Sequence, residues 1–137
     1  MSELGGEREV MEDQAKLGPE SLRTLDVWQE GTQLVKQIYI LTRGWPAEEM
    51  YGLTSQARRA AVSVPCNLAE GVGRGTPRER CRFAQTAIRS LYELDTLLLL
   101  AEDLGYSGSG AIQDVRQSIT VLVRRVWAYI RFHRGRQ

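Results

Sequence analysis

With 137 residues, 42% of them hydrophobic and 26% charged, the chain has the size and composition of one soluble globular domain. Its longest apolar run, Leu97–Ala101, is far shorter than the ~20 residues of a membrane span, and its acidic start has no apolar segment of secretory type, so a cytoplasmic protein without a membrane partner is expected. The net charge of +1 conceals a split: residues 1–20 hold six acidic and two basic groups, net −4, and residues 21–137 hold 16 basic against 11 acidic, net +5.

Residues 1–20, with Gly5, Gly6, Gly18 and Pro19 among mixed charges, suggest a flexible acidic tail ahead of a domain of residues 21–137. Such a tail is either simply solvated or shields a basic surface of the same chain. A first helix is predicted over about residues 24–43. Leu25, Trp28, Val35 and Tyr39 keep heptad spacing, Ile38 and Leu41 widen the stripe, Gly44 stops the helix and Pro46 prevents its continuation. After a loop, Thr54 or Ser55 is the expected cap of a second helix that ends near residues 71–75. Its apolar side is Leu53, Ala57, Ala60, Ala61, Val64 and Leu68, interrupted by Pro65, which removes an N–H and in a helix interior costs ~3 kcal/mol.

The strongest start signal in the chain is Thr76-Pro77-Arg78-Glu79. Thr76 is the N-cap, proline suits the first helical position, and Glu79 completes a capping box. The third helix runs to Leu104 with a wide stripe: Phe83, Ala84, Ala87, Ile88, Leu91, Leu94, Leu97, Leu98, Ala101 and Leu104. Such width predicts burial on two sides. Beyond the connector at residues 107–110, with Ser109 as the expected cap, Ile112, Val115, Ile119, Leu122, Val126, Tyr129 and His133 repeat at alternating spacings of three and four. Four long helices with short loops give an all-α, up-and-down antiparallel four-helix bundle.

The chemistry-bearing residues are mostly arginines; Lys36 is the only lysine after position 16. Arg74, Arg78, Arg80 and Arg82 crowd the junction of the second and third helices, and Arg116, Arg124, Arg125, Arg131, Arg134 and Arg136 load the fourth. A helix C-terminus attracts cations whatever the ligand, which accounts for Arg131 and Arg134. Positive charge at the start of the third helix opposes the dipole and has no such account. Arginine suits bidentate phosphate contacts, although coding bias enriches it equally well. On the second helix Arg59, Ser63, Asn67, Glu70 and Arg74 form a polar stripe, either a solvent face with local ion pairs or a buried subunit contact. Val123, Trp127 and Ile130 make a secondary ridge, with Trp127 either an interface anchor or a bundle-edge residue, while Trp28 fits the core and Trp45 a loop.

No enzyme motif is present. The single histidine, His133, reads as a terminal solvated or capping residue, and Cys66 and Cys81 as two reduced side chains with no metal or redox pairing. There is no Glu-x-x-His pair for a di-iron bundle and no phosphate-cradling loop after a strand; the glycines at 71, 73 and 75 form a hinge. No cofactor, metal or catalytic residue is expected.

YGLTSQ (51–56), RRAAVSVP (58–65) and NLAEGVGR (67–74), followed by SLYEL (90–94) and LGY (104–106), with a weaker piece DVWQ (26–29), carry a resemblance. In that order they resemble the four-helix bundle proteins encoded in intervening sequences of bacterial large-subunit ribosomal RNA, over about residues 24–133. The same superfamily is similar to the accessory variability determinant of diversity-generating retroelements. That likeness implies a ring-like homo-oligomer, a pentamer, that binds RNA or DNA and partners a reverse transcriptase. It also turns the second-helix stripe toward a structural or interface role. The expected phosphate contacts are Arg58, Arg74, Arg78, Arg82, Arg124 and Arg131; the expected structural or intersubunit residues are Arg59, Ser63, Asn67, Glu70 and Trp127. The competing expectation is a protein–protein scaffold with no nucleic-acid role.

Overall fold

The apolar stripes form four helices. A computed structural model describes residues 19–137: α1 (Asp26–Thr42), α2 (Leu53–Arg74), α3 (Pro77–Asp103) and α4 (Ser109–Arg134), with short 3-10 turns at Pro19–Thr24 and Ala47–Glu49. The tail expected over residues 1–20 lies outside the described residues, save for Pro19 and Glu20, which open the first turn. Each helix packs on the next and α4 returns to α1, closing a four-sided bundle around one core. Thr42 meeting Arg58, Gly31 meeting Pro65, and Cys81 meeting the Ile130 carbonyl show that neighbours run antiparallel.

Three local expectations need correction. Thr76 caps α3 as predicted, its Oγ1 accepting from the Glu79 N–H at 3.1 Å. α2 is capped by Gly52 rather than Thr54 or Ser55, because Leu53 starts the helix as a buried anchor and Thr54 turns inward at 2% exposure. α4 begins after Gly108, so Ser109 lies inside the helix without a capping bond. On α1 the buried line is Val27, Gly31, Leu34, Ile38 and Thr42, one position off the predicted stripe; Trp28 is only half-buried and Tyr39 is exposed. α1 sets Gly31 against Pro65 of α2, where an added Cβ would stand 3.4 Å from Pro65 Cβ, an ordinary contact. Pro65 itself is buried within an unbroken α2.

The other stripes hold. All six predicted apolar positions of α2 are buried, as are Ile112, Val115, Ile119, Leu122 and Val126 on α4. Ile130 belongs to this core at 0% exposure rather than to an outer ridge, while Val123 and Trp127 are partly buried against it. Leu104, expected in the stripe of α3, is exposed beyond the helix end. Polar groups pin the helices together. Asn67 Nδ2 donates to the Ser63 carbonyl and to Ser63 Oγ, which pairs with Ser90 Oγ at 2.8 Å on α3. Arg116 grips Asp95 through two bonds of 2.8 and 3.3 Å between α3 and α4. Trp45 lies in the loop after α1 as expected but is buried, and it donates its indole N–H to Ser107 Oγ at 2.7 Å, tying the two loops at one end of the bundle.

Candidate nucleic-acid interface

The antiparallel path puts the N-termini of α1 and α3 at the same end as the C-termini of α2 and α4. Clusters far apart in the chain therefore meet. Taking the Ser63–Ser90 contact as the midline, the half made of residues 21–34, 64–90 and 122–137 holds eleven arginines (23, 74, 78, 80, 82, 89, 124, 125, 131, 134 and 136) against four acidic groups (26, 30, 70 and 79). The other half holds five basic groups (36, 43, 58, 59 and 116) against seven acidic ones (48, 49, 93, 95, 102, 103 and 114). The +5 of residues 21–137 divides into +7 at one end and −2 at the other.

The corner between α2 and α3 is built for close approach. A Cβ at Gly71 would lie 3.1 Å from Arg80 Cα and 3.3 Å from the Glu79 carbonyl, so only glycine lets the last turn of α2 press on the first turn of α3. Gly75, at φ 81°, turns the chain between them. Phe83, half-buried below, carries the guanidinium of Arg82 at 5.0 Å and that of Arg74 at 5.4 Å from its ring centre. Each exposed cation–π contact adds ~0.5–1 kcal/mol and holds the charge outward. Arg74 also meets Glu70 at 3.3 Å and Arg82 meets Glu79 at 3.7 Å, pairs in which both arginines are more than half exposed. Arg78, Arg82 and Arg89 then follow one outer line of α3 at spacings of four and seven.

The predicted phosphate residues are thus not all in one place. Arg74, Arg78, Arg82, Arg124 and Arg131 share the basic half and are all exposed; Arg78, Arg124 and Arg131 are in no ion pair among the described residues. Arg58 lies in the opposite half. Its Nε donates to the buried Thr42 Oγ1 at 2.9 Å and its guanidinium covers the Tyr39 ring at 4.5 Å, so it fastens α2 to the end of α1. The polar ladder of α2 is half internal: Ser63 and Asn67 make their bonds within the chain, while Arg59 and Glu70 face outward. Trp127 is half-buried against the core.

His133 differs from expectation. It is half-buried, set edge-on between Tyr129 at 4.5 Å and Phe132 at 5.0 Å, and burial, reinforced by Arg80 and Arg136, lowers its pKa. Burial pushes the Tyr129 hydroxyl up to about 12. Phe83 as the seat of two arginines, Arg80 beside His133 and the Arg116–Asp95 pair escaped sequence reasoning, since each depends on which helices adjoin.

The apolar surface is segregated as sharply as the charge. Of the ten large hydrophobic residues left exposed among the described residues, nine (Tyr39, Ile40, Met50, Tyr51, Tyr92, Leu99, Leu100, Leu104 and Val121) lie in the acidic half and one, Phe132, in the basic half. Tyr51, 98% exposed in the turn before α2, borders with Tyr39, Met50, Arg58, Arg59 and Val62 an open groove of about 650 Å³. Among the described residues no group of three or more His, Cys, Asp or Glu could hold a metal ion, and no helix is long and apolar enough to cross a membrane.

No curated protein matches the chain. A family model described as 23S rRNA-intervening sequence protein matches residues 23–128, from the turn before α1 to the last part of α4. The basic corner, the Gly71 seat and the Ser63–Asn67 ladder all fall inside that span, and the chain belongs to the 23S rRNA-intervening sequence protein family.

Proposed function

We propose that the protein is a non-enzymatic, nucleic-acid-binding adaptor that works as a homo-oligomer in the cytoplasm. The observation that carries the reading is the double segregation: eleven arginines at one end of the bundle, nine exposed large hydrophobics at the other. Arginine forks at the basic end bind phosphates, and the apolar, mildly acidic end meets sister subunits. A ring of five is the assembly suggested by likeness to the retroelement accessory protein, and it would multiply the +7 end into a continuous basic rim. A reverse transcriptase is the protein partner suggested by the same likeness. The family's ribosomal RNA setting favours RNA over DNA.

The groove beside Tyr51, with its exposed Tyr39 and Met50, favours a second reading: a scaffold that binds proteins alone. Titration of a structured RNA at about 50 and 200 mM salt separates the two. The adaptor loses at least tenfold in affinity across that range, as counter-ion release requires. An affinity indifferent to salt, or no binding at either concentration, leaves the scaffold. Light scattering at micromolar concentration tests the assembly, and a monomer would contradict it.

A further inference from the structure

A cavity of about 310 Å³ opens under the basic end, between the first turn of the chain, the end of α2 and the start of α3. Leu22, Leu25 and Val72 form its apolar wall. Its polar lining comes from Ser21 and Thr24, whose Oγ1 donates to the Ser21 carbonyl, and from Arg80, Tyr129 and His133, which are short of partners among the described residues. Tyr129 Oη and His133 Nδ1 are both buried without a hydrogen-bond partner among the described residues. Arg80, only partly exposed in the first turn of α3, is in no ion pair among the described residues, and none of the described residues lining the cavity is a carboxylate.

Buried polar groups in folded proteins are normally satisfied by protein, water or a ligand, and here two orphaned buried atoms and one unpaired guanidinium converge on one space. The chemistry of the set fixes the class. The guanidinium is a donor only and permanently positive, while the phenol and the imidazole can each donate or accept, so the fixed charge selects a ligand that brings oxygens and negative charge. We propose that this cavity binds a phosphate-sized oxyanion, held by Arg80 with Tyr129 Oη and His133 Nδ1 donating to its oxygens. The apolar wall strengthens the charge contact by excluding water. The charged groups that act on His133 are Arg80 from α3 and Arg136 beyond α4, both positive; Tyr129 stands edge-on to it and Cys81 adjoins Tyr129. The imidazole is therefore disfavoured as a cation in the empty cavity, and an anion would reverse that. The proposal does not rest on the nucleic-acid reading: a single small-anion site can exist in a protein that binds no RNA.

The chain contains one histidine, so its imidazole proton resonances report on the cavity without ambiguity. The full chain is titrated with inorganic phosphate at constant ionic strength, chloride making up the balance, and the pKa of His133 is followed by NMR. Binding raises that pKa saturably by about one pH unit. Arg136→Gln raises the starting pKa and keeps the phosphate response, whereas Arg80→Gln abolishes the response. Tyr129→Phe, which keeps the ring and guards against a misfolded Arg80 variant, weakens phosphate about tenfold. Absence of a saturable rise up to tens of millimolar phosphate would overturn the proposal. So would a rise that persists in Arg80→Gln, or a Tyr129→Phe affinity equal to that of the unaltered chain.

Discussion

Gly71 and Gly73 stand two residues apart on α2 in opposite surroundings, and replacing each with alanine should move stability in opposite directions. In a helix alanine is favoured over glycine by ~0.5–1 kcal/mol, because it has less backbone freedom to lose on folding. At Gly73 nothing lies within 4 Å of the added Cβ, so Gly73→Ala should gain about 0.5–1 kcal/mol. At Gly71 the same methyl meets Arg80 Cα at 3.1 Å, Phe83 Cβ at 3.2 Å and the Glu79 carbonyl at 3.3 Å. Two of those atoms are backbone of α3 and cannot swing aside. Overpacking of this kind costs ~1–3 kcal/mol, which outweighs the gain and leaves Gly71→Ala less stable by about 0.5–2 kcal/mol. Urea unfolding followed by circular dichroism at constant protein concentration measures both variants, and a thermal scan should separate them by roughly 4 °C or more. If Gly71→Ala is as stable as Gly73→Ala, the tight seat between α2 and α3 does not exist.

Two further outcomes follow from the same geometry. Thr76→Ala removes the acceptor for the Glu79 N–H and should destabilise by about 1 kcal/mol, while Thr76→Ser, which keeps the hydroxyl, should restore most of it; thermal unfolding reads both. Burial holds the folded-state pKa of His133 below the ordinary histidine value of 6.5, so the unfolded chain takes up the proton first. Its contribution to stability is complete above pH 6.5 and is lost as pH falls from there through the folded value. The urea midpoint should therefore fall more steeply between about pH 7 and pH 5 in the native chain than in His133→Gln, and parallel slopes would refute the sign.

Periodicity made the four helices legible because each stripe is long and apolar, and Thr76-Pro77 located the start of α3. What it could not show was the rotation of α1 about its axis, which places Gly31 against Pro65 and leaves Trp28 half-buried. A stripe count ranks glycine as neutral, whereas packing uses it as the place where two backbones come closest. Pattern reading placed Trp45 in its loop correctly but gave no sign that it is buried and bonded to Ser107 of another loop. The candidate site was half legible. The arginines at 74–82 stood out against the helix dipole, and those of α4 were visible as a group. Their union at one end needs the antiparallel path, as does the exclusion of Arg58, which has the same composition around it but points into the α1–α2 contact. His133 misled because position near a chain end suggests solvent, while Tyr129 and Phe132 enclose it.

The central claim is that nucleic acid is bound by one end of the bundle. Its most direct test removes equal charge from each end and measures the salt dependence of RNA affinity. Arg78→Gln with Arg131→Gln takes two exposed arginines from the basic half; Lys36→Gln with Arg43→Gln takes two exposed cations from the other. Each lost phosphate contact lowers the slope of log affinity against log salt by about 0.7–0.9, so the first pair should flatten it by about 1.4–1.8 per subunit while the second leaves slope and affinity unchanged. Equal losses from both pairs, or a larger loss from the second, would contradict the account.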